Sequence, residues 1–204
     1  PNTAPDDHVP RTPDEAPARG RQRAIPGGPA VKKKNIVLTG REVSLGADEQ
    51  IVSKTNLKGQ ITYANRAFMH LCDYAEVDLL GVQHNIVRHP DMPRAVFHMM
   101  WETLQAGQEF FGFVKNLTAN GDHYWVFANV TPDREPGGEV VGYFSVRRRP
   151  SQRGVEAAGA LYAEMVAAER QAGPARAIEA SRALLEERLG GQSYERFALA
   201  LQLG

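Results

Sequence analysis

The chain has 204 residues, with 24 basic and 24 acidic side chains and a formal net charge of zero. This length suits one domain with appendages or two small domains, and the charge balance does not favour nucleic acid or an anionic membrane as the main partner. Because no apolar run approaches the ~20 residues that a membrane helix needs, we expect no membrane span. The single cysteine, Cys72, excludes an intrachain disulfide and an all-cysteine metal site. It is compatible with a cytoplasmic protein, which is the localisation that we expect.

Residues 1–35 hold seven of the 13 prolines and almost no large apolar side chain. Such a segment cannot bury enough apolar surface to offset the entropy that it would lose on ordering. We therefore predict a disordered tail over residues 1–35 and a short N-terminal cap segment over residues 36–50.

The next part of the chain predicts two strands followed by helices. The strings "IVSKTNL" and "ITYAN" are rich in β-branched residues and alternate, which is typical of strands, and a Lys-Gly turn joins them. "RAFMHLCDY" and "AEVDLLG" are typical of short helices, and Gly81 fits the C-terminal cap of the second. "RAVFHMMWETLQAG" predicts one longer helix, because its apolar residues recur at helical spacing.

Three further strands are predicted, "EFFGFVKNLT", "DHYWVFANVTP" and "EVVGYFSVRRR". Asn-Gly between the first two is a strong hairpin signal, and the length of the turn decides which side chains share a face with Asn116. A two-residue turn would place Trp125 and Phe127 on that face. We favour a three-residue turn over 119–121, because the inner face would then be smaller and mostly apolar. Trp125 and Phe127 would then lie on the outer face, under the N-terminal segment or a partner.

From residue 151 the composition shifts to Ala, Glu, Arg and Leu, and we predict a helical tail over residues 151–204. Gly173 separates two amphipathic helices, Pro174 fits the first position of the second helix, and Ser193 fits the N-cap of a last short helix. Since isolated helices of this length are marginal in water, their apolar stripes must be buried. They can pack on each other, on the sheet, or in a dimer.

The order of two strands, several helices and a three-strand meander predicts an α+β fold. The strings "TNLKGQITYAN", "HNIVRHPDMP", "VKN", "NGDHYW" with "ANVTP", and "VGYFSVRRRP" resemble the PAS domains of the aerotaxis-receptor (Aer-type) group, over roughly residues 48–150. The resemblance implies a PAS fold over residues 51–150, a five-stranded antiparallel sheet with helices on one face. It also implies a non-covalently bound FAD, redox or oxygen sensing without catalysis, and a signalling protein partner, for which the chemotaxis machinery is the candidate. Since we predict no membrane anchor, we expect a soluble, stand-alone form of the group.

The string "HNIVRHPDMP" carries more polar chemistry than a turn needs. Arg88 can donate two parallel hydrogen bonds to a phosphate, and His89 and Asp91 can bind the cofactor or orient each other. Asn85 can contact the cofactor or cap local backbone. The alternative is a surface loop in which Arg88 and Asp91 form a salt bridge worth less than ~1 kcal/mol.

Two further asparagines complete the predicted flavin site. Asn65 precedes the first helix, where it can act as an N-cap or lie by the flavin, as its matching position in the family does. Asn116 shares a strand face with Gly112, which leaves that face open beside an inward amide, and the family resemblance implies that this Asn contacts the ring. The predicted cofactor-binding residues are Asn65, Asn85, Arg88, His89, Asp91 and Asn116. The sequence favours neither side for Trp101, and we predict no catalytic or metal-binding residue.

Alternative interpretations stay open. Light-sensing flavin domains need a reactive cysteine in the helix that follows the short helices, whereas Cys72 lies earlier, so we predict an ordinary buried thiol. A haem-binding PAS gas sensor would need an axial histidine, and the candidates are His84, His89, His98 and His123. A third possibility is a ligand-free dimerisation or interaction module. In each case we expect a homodimer, because PAS sheets often pair through the outer face.

Overall fold

The computed structural model describes residues 36–204, and the tail predicted over residues 1–35 lies outside them. Five strands form one antiparallel sheet in the order β2-β1-β5-β4-β3. The strands are β1 (Ile51–Asn56), β2 (Ile61–Ala64), β3 (Phe110–Leu117), β4 (His123–Arg134) and β5 (Val140–Arg148). The predicted α+β fold with five antiparallel strands is confirmed.

Three helices and a 3₁₀ turn follow β2 and cover the inner face of the sheet. They are α1 (Arg66–Cys72), α2 (Glu76–Leu79), the 3₁₀ turn (His84–Val87) and α3 (Arg94–Gln105). Phe68 and Leu79 pack with Tyr124 and Val126 of β4 in one buried cluster. Gly81 follows α2 with a φ of 78°, a conformation that glycine adopts without strain and that ends the helix as predicted.

The hairpin between β3 and β4 has a three-residue turn over 119–121. Asn116 lies opposite Tyr124 and Val114 opposite Val126, and the Thr118 N–H donates to the Asp122 carbonyl at 2.8 Å. Because residues that lie directly opposite share a face, Asn116 and Tyr124 point to the inner face, whereas Trp125, which lies opposite Lys115, points to the outer face. The predicted assignment of the β4 side chains to the inner and outer faces of the sheet is confirmed.

The tail forms α4 (Gln152–Ala172), α5 (Ala177–Leu189) and α6 (Tyr194–Leu203), and it packs on the outer face of the sheet. Trp125 stacks on Tyr162 of α4 at 6.1 Å between ring centroids, and Phe127 belongs to the same buried cluster. The expectation that these two aromatics lie under the N-terminal segment or a partner is therefore wrong. Their apolar surface is buried more cheaply by a segment of the same chain, which loses no translational freedom on docking.

Two predicted helix boundaries in the tail can be compared with the structure. Ser193 caps α6 as predicted, since its Oγ accepts from the Arg196 N–H at 3.3 Å. Pro174 does not begin α5, which starts at Ala177 after a turn. Among the helices of residues 36–204, none is both long and apolar enough to cross a membrane.

The tail also closes the free edge of the sheet at β3. The Phe113 N–H donates to the Tyr194 hydroxyl at 3.3 Å, and the Tyr162 hydroxyl donates to the Phe113 carbonyl at 2.8 Å. The two buried hydroxyls are hydrogen-bonded to each other. An edge strand with unpaired backbone groups is prone to pair with other chains, so these two tyrosines satisfy part of that edge.

Tyr194 also fills the space beside Gly112. A Cβ atom added at Gly112 would lie 2.8 Å from the Tyr194 hydroxyl oxygen. The prediction that Gly112 leaves the inner face open for a ligand is therefore wrong, because α6 reaches this position from the sheet edge.

The N-terminal segment over residues 36–50 runs beside the start of β4. The Val43 N–H donates to the His123 carbonyl at 2.8 Å, and the His123 N–H donates to the Arg41 carbonyl at 2.9 Å. Leu45 is buried in the inner-face cluster with Tyr124. The segment thus closes one end of the inner-face core.

Candidate functional site

A cavity of about 230 Å³ lies between the inner face of the sheet and α3. Its helix side is apolar and formed by Phe97, Met100, Trp101 and Leu104. The sheet side combines apolar and polar residues, namely Ser53, Thr55, Val114, Asn116, Ala128, Val130, Tyr143, Ser145 and Arg147. An apolar slot with a few convergent polar groups is the usual form of a small-molecule site.

The volume of the cavity limits what it can enclose. It is below the about 300–1,000 Å³ that is typical of pockets for drug-sized ligands. The cavity therefore suits one flat ring system, and any longer ligand must leave through the mouth.

Arg147 is the most unusual group in the cavity wall. Its side chain is buried, with Nε donating to Ser145 Oγ at 3.1 Å and Nη2 hydrogen-bonded to Ser53 Oγ and to His84 Nε2. Nη1 is buried without a hydrogen-bond partner among residues 36–204. Burial lowers the pKa of Arg147 to about 10, which leaves the guanidinium charged at neutral pH. A buried charge with an unused donor is costly unless a ligand accepts from it.

His84 sits between Arg147 and α1. Burial first, and the charge of Arg147 second, lower the pKa of His84 to about 3, so the imidazole is neutral at ordinary pH. Because an arginine can only donate, His84 Nε2 accepts from Arg147 Nη2 at 3.2 Å. The ring stacks on Phe68 at 5.7 Å between centroids. His84 thus presents a polar, uncharged face to the cavity.

Three of the predicted site residues, Asn85, Arg88 and Asn116, line the cavity. The backbones of Arg88 and Asn116 pair in an isolated antiparallel bridge, which holds the loop before α3 against the edge of β3. The Arg88 guanidinium lies over the Phe97 ring at 4.3 Å, and its Nη2 donates to the Met92 carbonyl at 3.0 Å. Burial lowers the pKa of Arg88.

The structure places Asn65 outside this wall. Its Oδ1 accepts from the N–H groups of Phe68 at 3.0 Å and Val52 at 3.1 Å, and its Nδ2 donates to the Gln50 carbonyl at 2.8 Å. The amide is therefore used in capping α1 and in fixing the start of β1.

His89 and Asp91 also lie away from the cavity wall. His89 Nδ1 accepts from the Asp91 N–H at 3.1 Å, and the Asp91 carboxylate pairs with Lys115 at 2.8 Å. Burial first, then the charge of Lys115, lower the pKa of His89 to about 4. Within the "RHPDMP" string, Arg88 therefore lines the cavity, whereas His89 and Asp91 hold the loop against β3.

Sequence reasoning missed Arg147 and its neighbours on β5. Tyr143, Ser145 and Arg147 follow one another at every second position, so they share the inner face and all line the cavity. This alternation in the sequence is the signal that could have identified the three residues as part of the cavity wall. Trp101, left unassigned by the sequence, also lines the cavity and packs edge-to-face on Tyr143 at 5.1 Å.

Cys72 is buried outside the cavity wall. Burial raises the pKa of Cys72 to about 11, so the group is a protonated thiol. The prediction of an ordinary buried cysteine is confirmed.

Comparison with known proteins identifies the sheet and its inner helices. Residues 61–147 match the family model described as the PAS fold. This part of the chain is a PAS domain. The predicted resemblance is confirmed, since 125 residues of this chain are 43% identical to the aerotaxis receptor of Escherichia coli (strain K12), a match that covers 61% of this chain and 24% of that receptor.

A second relative is the nitrogen fixation regulatory protein of Klebsiella pneumoniae, 32% identical over 97 residues. The match covers 48% of this chain and 20% of that protein. The chain thus spans about a quarter or less of the length of these relatives. One solved structure, described as "Flavin Analogue Sheds Light on Light-Oxygen-Voltage Domain Mechanism", has a TM-score of 0.48 and 22% identity, over 53% of this chain and 81% of that chain.

Proposed function

We propose that the protein is a sensor that holds the ring system of a flavin in the cavity and reports the redox state of the flavin through protein contacts. The observation that carries this proposal is the buried Nη1 of Arg147, which has no hydrogen-bond partner within residues 36–204 and belongs to the wall of an apolar slot. A flavin supplies a flat apolar body, an edge of hydrogen-bond acceptors and a reversible redox change.

The donor set fits such a ring. Arg147 supplies a charged donor, Asn116 an amide that can both donate and accept, and α3 an apolar wall. Because the Arg147 charge has no carboxylate among its hydrogen-bond partners, it favours a ligand that becomes more electron-rich on reduction. Asn85 and Arg88 also line the cavity and offer further polar groups to a flavin. Asn65, His89 and Asp91 are not part of this proposed contact set.

The same geometry favours flavin over haem. An axial histidine needs a free ring nitrogen directed at the iron. His84 lines the cavity, but its Nε2 already accepts from Arg147. The Phe68 ring, at 4.6 Å from the guanidinium carbon, compensates part of the Arg147 charge, but a ligand-free module would leave Nη1 without a partner among residues 36–204, which disfavours that alternative.

The signalling partner is also part of the proposal. The resemblance to aerotaxis receptors favours FAD as the flavin and a component of the chemotaxis machinery as the partner. The tail covers the part of the outer sheet face formed by β3 and β4, so a homodimer would form through the tail, through the rest of that face or through other surfaces.

An absorbance spectrum of the freshly purified protein tests the proposal. We expect flavin absorption, and its replacement by an intense Soret band or by a colourless protein that takes up no added flavin would contradict it. Arg147→Gln should lower the flavin content while the fold is retained. Arg148→Gln is the matched control, because Arg148 is the exposed neighbour on the opposite strand face. Equal flavin content in both variants would show that Arg147 is not part of the site.

A further inference from the structure

The inner cavity is closed on both of its broad sides. Side chains of α3 form one wall, and the inner face of the sheet forms the other. Because the cavity of about 230 Å³ suits one flat ring, a flavin in it would have α3 against one face and the sheet against the other. Within residues 36–204, this volume leaves no room for a second ring stacked on the first.

Trp101 closes the cavity at the second half of α3. A Cβ atom added at Gly59 would lie 3.7 Å from two ring atoms of Trp101, so the indole packs against the turn between β1 and β2. On its other side the indole packs on Tyr143 of β5, at 5.1 Å between ring centroids. Both aromatic side chains line the cavity and keep part of their surface exposed. The two rings therefore separate the cavity from solvent at this point.

The tail holds this wall at both ends of α3. Glu169 of α4 accepts from the N–H of Arg94, the first residue of α3, at 2.7 Å. Arg182 of α5 donates from Nη1 to both carboxylate oxygens of Glu102, in the last turn of α3, at 2.9 and 2.8 Å. Since α3 cannot move away from the sheet without breaking these contacts, we treat it as a fixed wall.

The two ways in which a flavin exchanges electrons differ in the access that they need. Hydride transfer from a nicotinamide requires its donor carbon to approach the flavin to about 3–3.5 Å, with the nicotinamide lying on the face of the ring. A single electron can cross an intervening side chain, because no bond forms between the donor and the ring. A wall on each face of the ring therefore blocks the first route and not the second.

We propose that the α3 wall, with Trp101 in it, excludes nicotinamide hydride donors, and that the redox partner is a one-electron carrier acting across the Trp101–Tyr143 pair. The inference rests on the proposed flavin function. In each exchange the reduced carrier loses one electron, the electron enters the cavity, and no bond forms between the carrier and the ring. Any proton that accompanies reduction comes from solvent.

The test uses the flavin-loaded full chain in the absence of oxygen. Benzyl-dihydronicotinamide serves as a small hydride donor and reduced methyl viologen as a one-electron donor. We expect the dihydronicotinamide to reduce the bound flavin about a hundredfold more slowly than free FAD, because the wall prevents the reacting atoms from meeting. Reduced viologen should reduce bound flavin and free FAD at comparable rates.

Quenching of flavin fluorescence by iodide measures access to the ring without any reaction. The bound flavin should be protected relative to free FAD. Trp101→Ala should move both the iodide quenching and the dihydronicotinamide rate toward the values of free FAD, because it removes part of the wall. His98→Ala is the matched control on the same helix, since its side chain is exposed and lies outside the cavity wall, and it should change neither quantity.

Each other outcome overturns a definite part of the proposal. Reduction of the unmodified protein by the dihydronicotinamide as fast as free FAD would overturn the exclusion and leave the flavin sensor intact. Reduction by neither donor would overturn one-electron exchange across the wall. Unchanged iodide protection in Trp101→Ala would show that Trp101 does not close the cavity. Failure of the chain to take up flavin at all would overturn the proposed function.

Discussion

The carboxylate of Glu169 on α4 caps α3, with its Oε1 accepting from the Arg94 N–H at 2.7 Å and the Ala95 N–H at 3.2 Å. Ser181 of α5 donates to the same oxygen at 2.8 Å. One buried carboxylate thus joins two tail helices to the helix that carries Trp101 into the cavity wall. A displacement of α3 cannot leave these hydrogen bonds unchanged.

Replacing Glu169 by Ala should destabilise the protein by about 2 kcal/mol, because a helix cap is lost and two backbone donors lose their acceptor. Urea denaturation measures the change. Glu164→Ala is the matched control on the same helix, since its carboxylate forms an exposed pair with Arg188 and should cost less than ~1 kcal/mol. Equal losses in the two variants would contradict a special role for Glu169.

The connection also predicts how a change at the ligand reaches the tail. Hydrogen exchange of the flavin-loaded protein, oxidised and reduced, should differ at the amides of Arg94 and Ala95 and in the tail helices. Glu169→Gln, which keeps one acceptor oxygen without the charge, should reduce the difference in the tail. Identical protection of residues 155–202 in both redox states would remove the tail as the output element.

The tyrosine pair at the edge of β3 predicts coupled stability effects. Tyr162→Phe and Tyr194→Phe should each cost about 1–2 kcal/mol, because each leaves a buried polar group of the edge without its partner. The double variant should lose less than the sum of the two, since both removals break the same hydroxyl–hydroxyl bond. Thermal unfolding measures the cycle. Tyr63→Phe, at a largely exposed position, is the neutral control, and strict additivity would show that the two hydroxyls act separately.

The buried histidines predict that acid destabilises the flavin-free protein. The pKa of His84 falls from 6.5 to about 3 and that of His89 from 6.5 to about 4, burial being the largest cause for both. At a pH between the folded and unfolded pKa values, the unfolded chain binds more protons, so their stabilising contribution is complete above about pH 6.5 and is lost as the pH falls.

Each histidine can contribute a slope of up to about 1.4 kcal/mol per pH unit in this window. His84→Gln should flatten the dependence of unfolding free energy on pH between about 6 and 4. His70→Gln, at an exposed position on α1, should leave the slope as it is. An unchanged slope in His84→Gln would contradict a neutral, buried His84.

The sequence by itself determined the order of the elements and much of their local geometry. Alternation on β3 and an Asn-Gly turn were enough to predict the parity of the hairpin, because both are set by residues within about ten positions. The N-cap of α6, Ser193, could also be predicted from the sequence, because a cap depends only on neighbouring residues. Of the six predicted cofactor-binding residues, three line the cavity: Asn85 on the 3₁₀ turn, Arg88 in the loop after it, and Asn116 on β3.

Only the tertiary structure decided which distant groups meet. Ser53 and Arg147 come together because β1 pairs with β5, and no local pattern encodes that pairing. Trp125 was expected under the N-terminal segment or a partner, yet α4 covers it, because an amphipathic helix can be buried on any apolar face of matching shape. Arg88, in the loop before α3, and Arg170, on α4, line one pocket although they are far apart in the sequence. Long-range packing sets these contacts, since the free energy of burial depends on which surfaces meet and not on their separation along the chain.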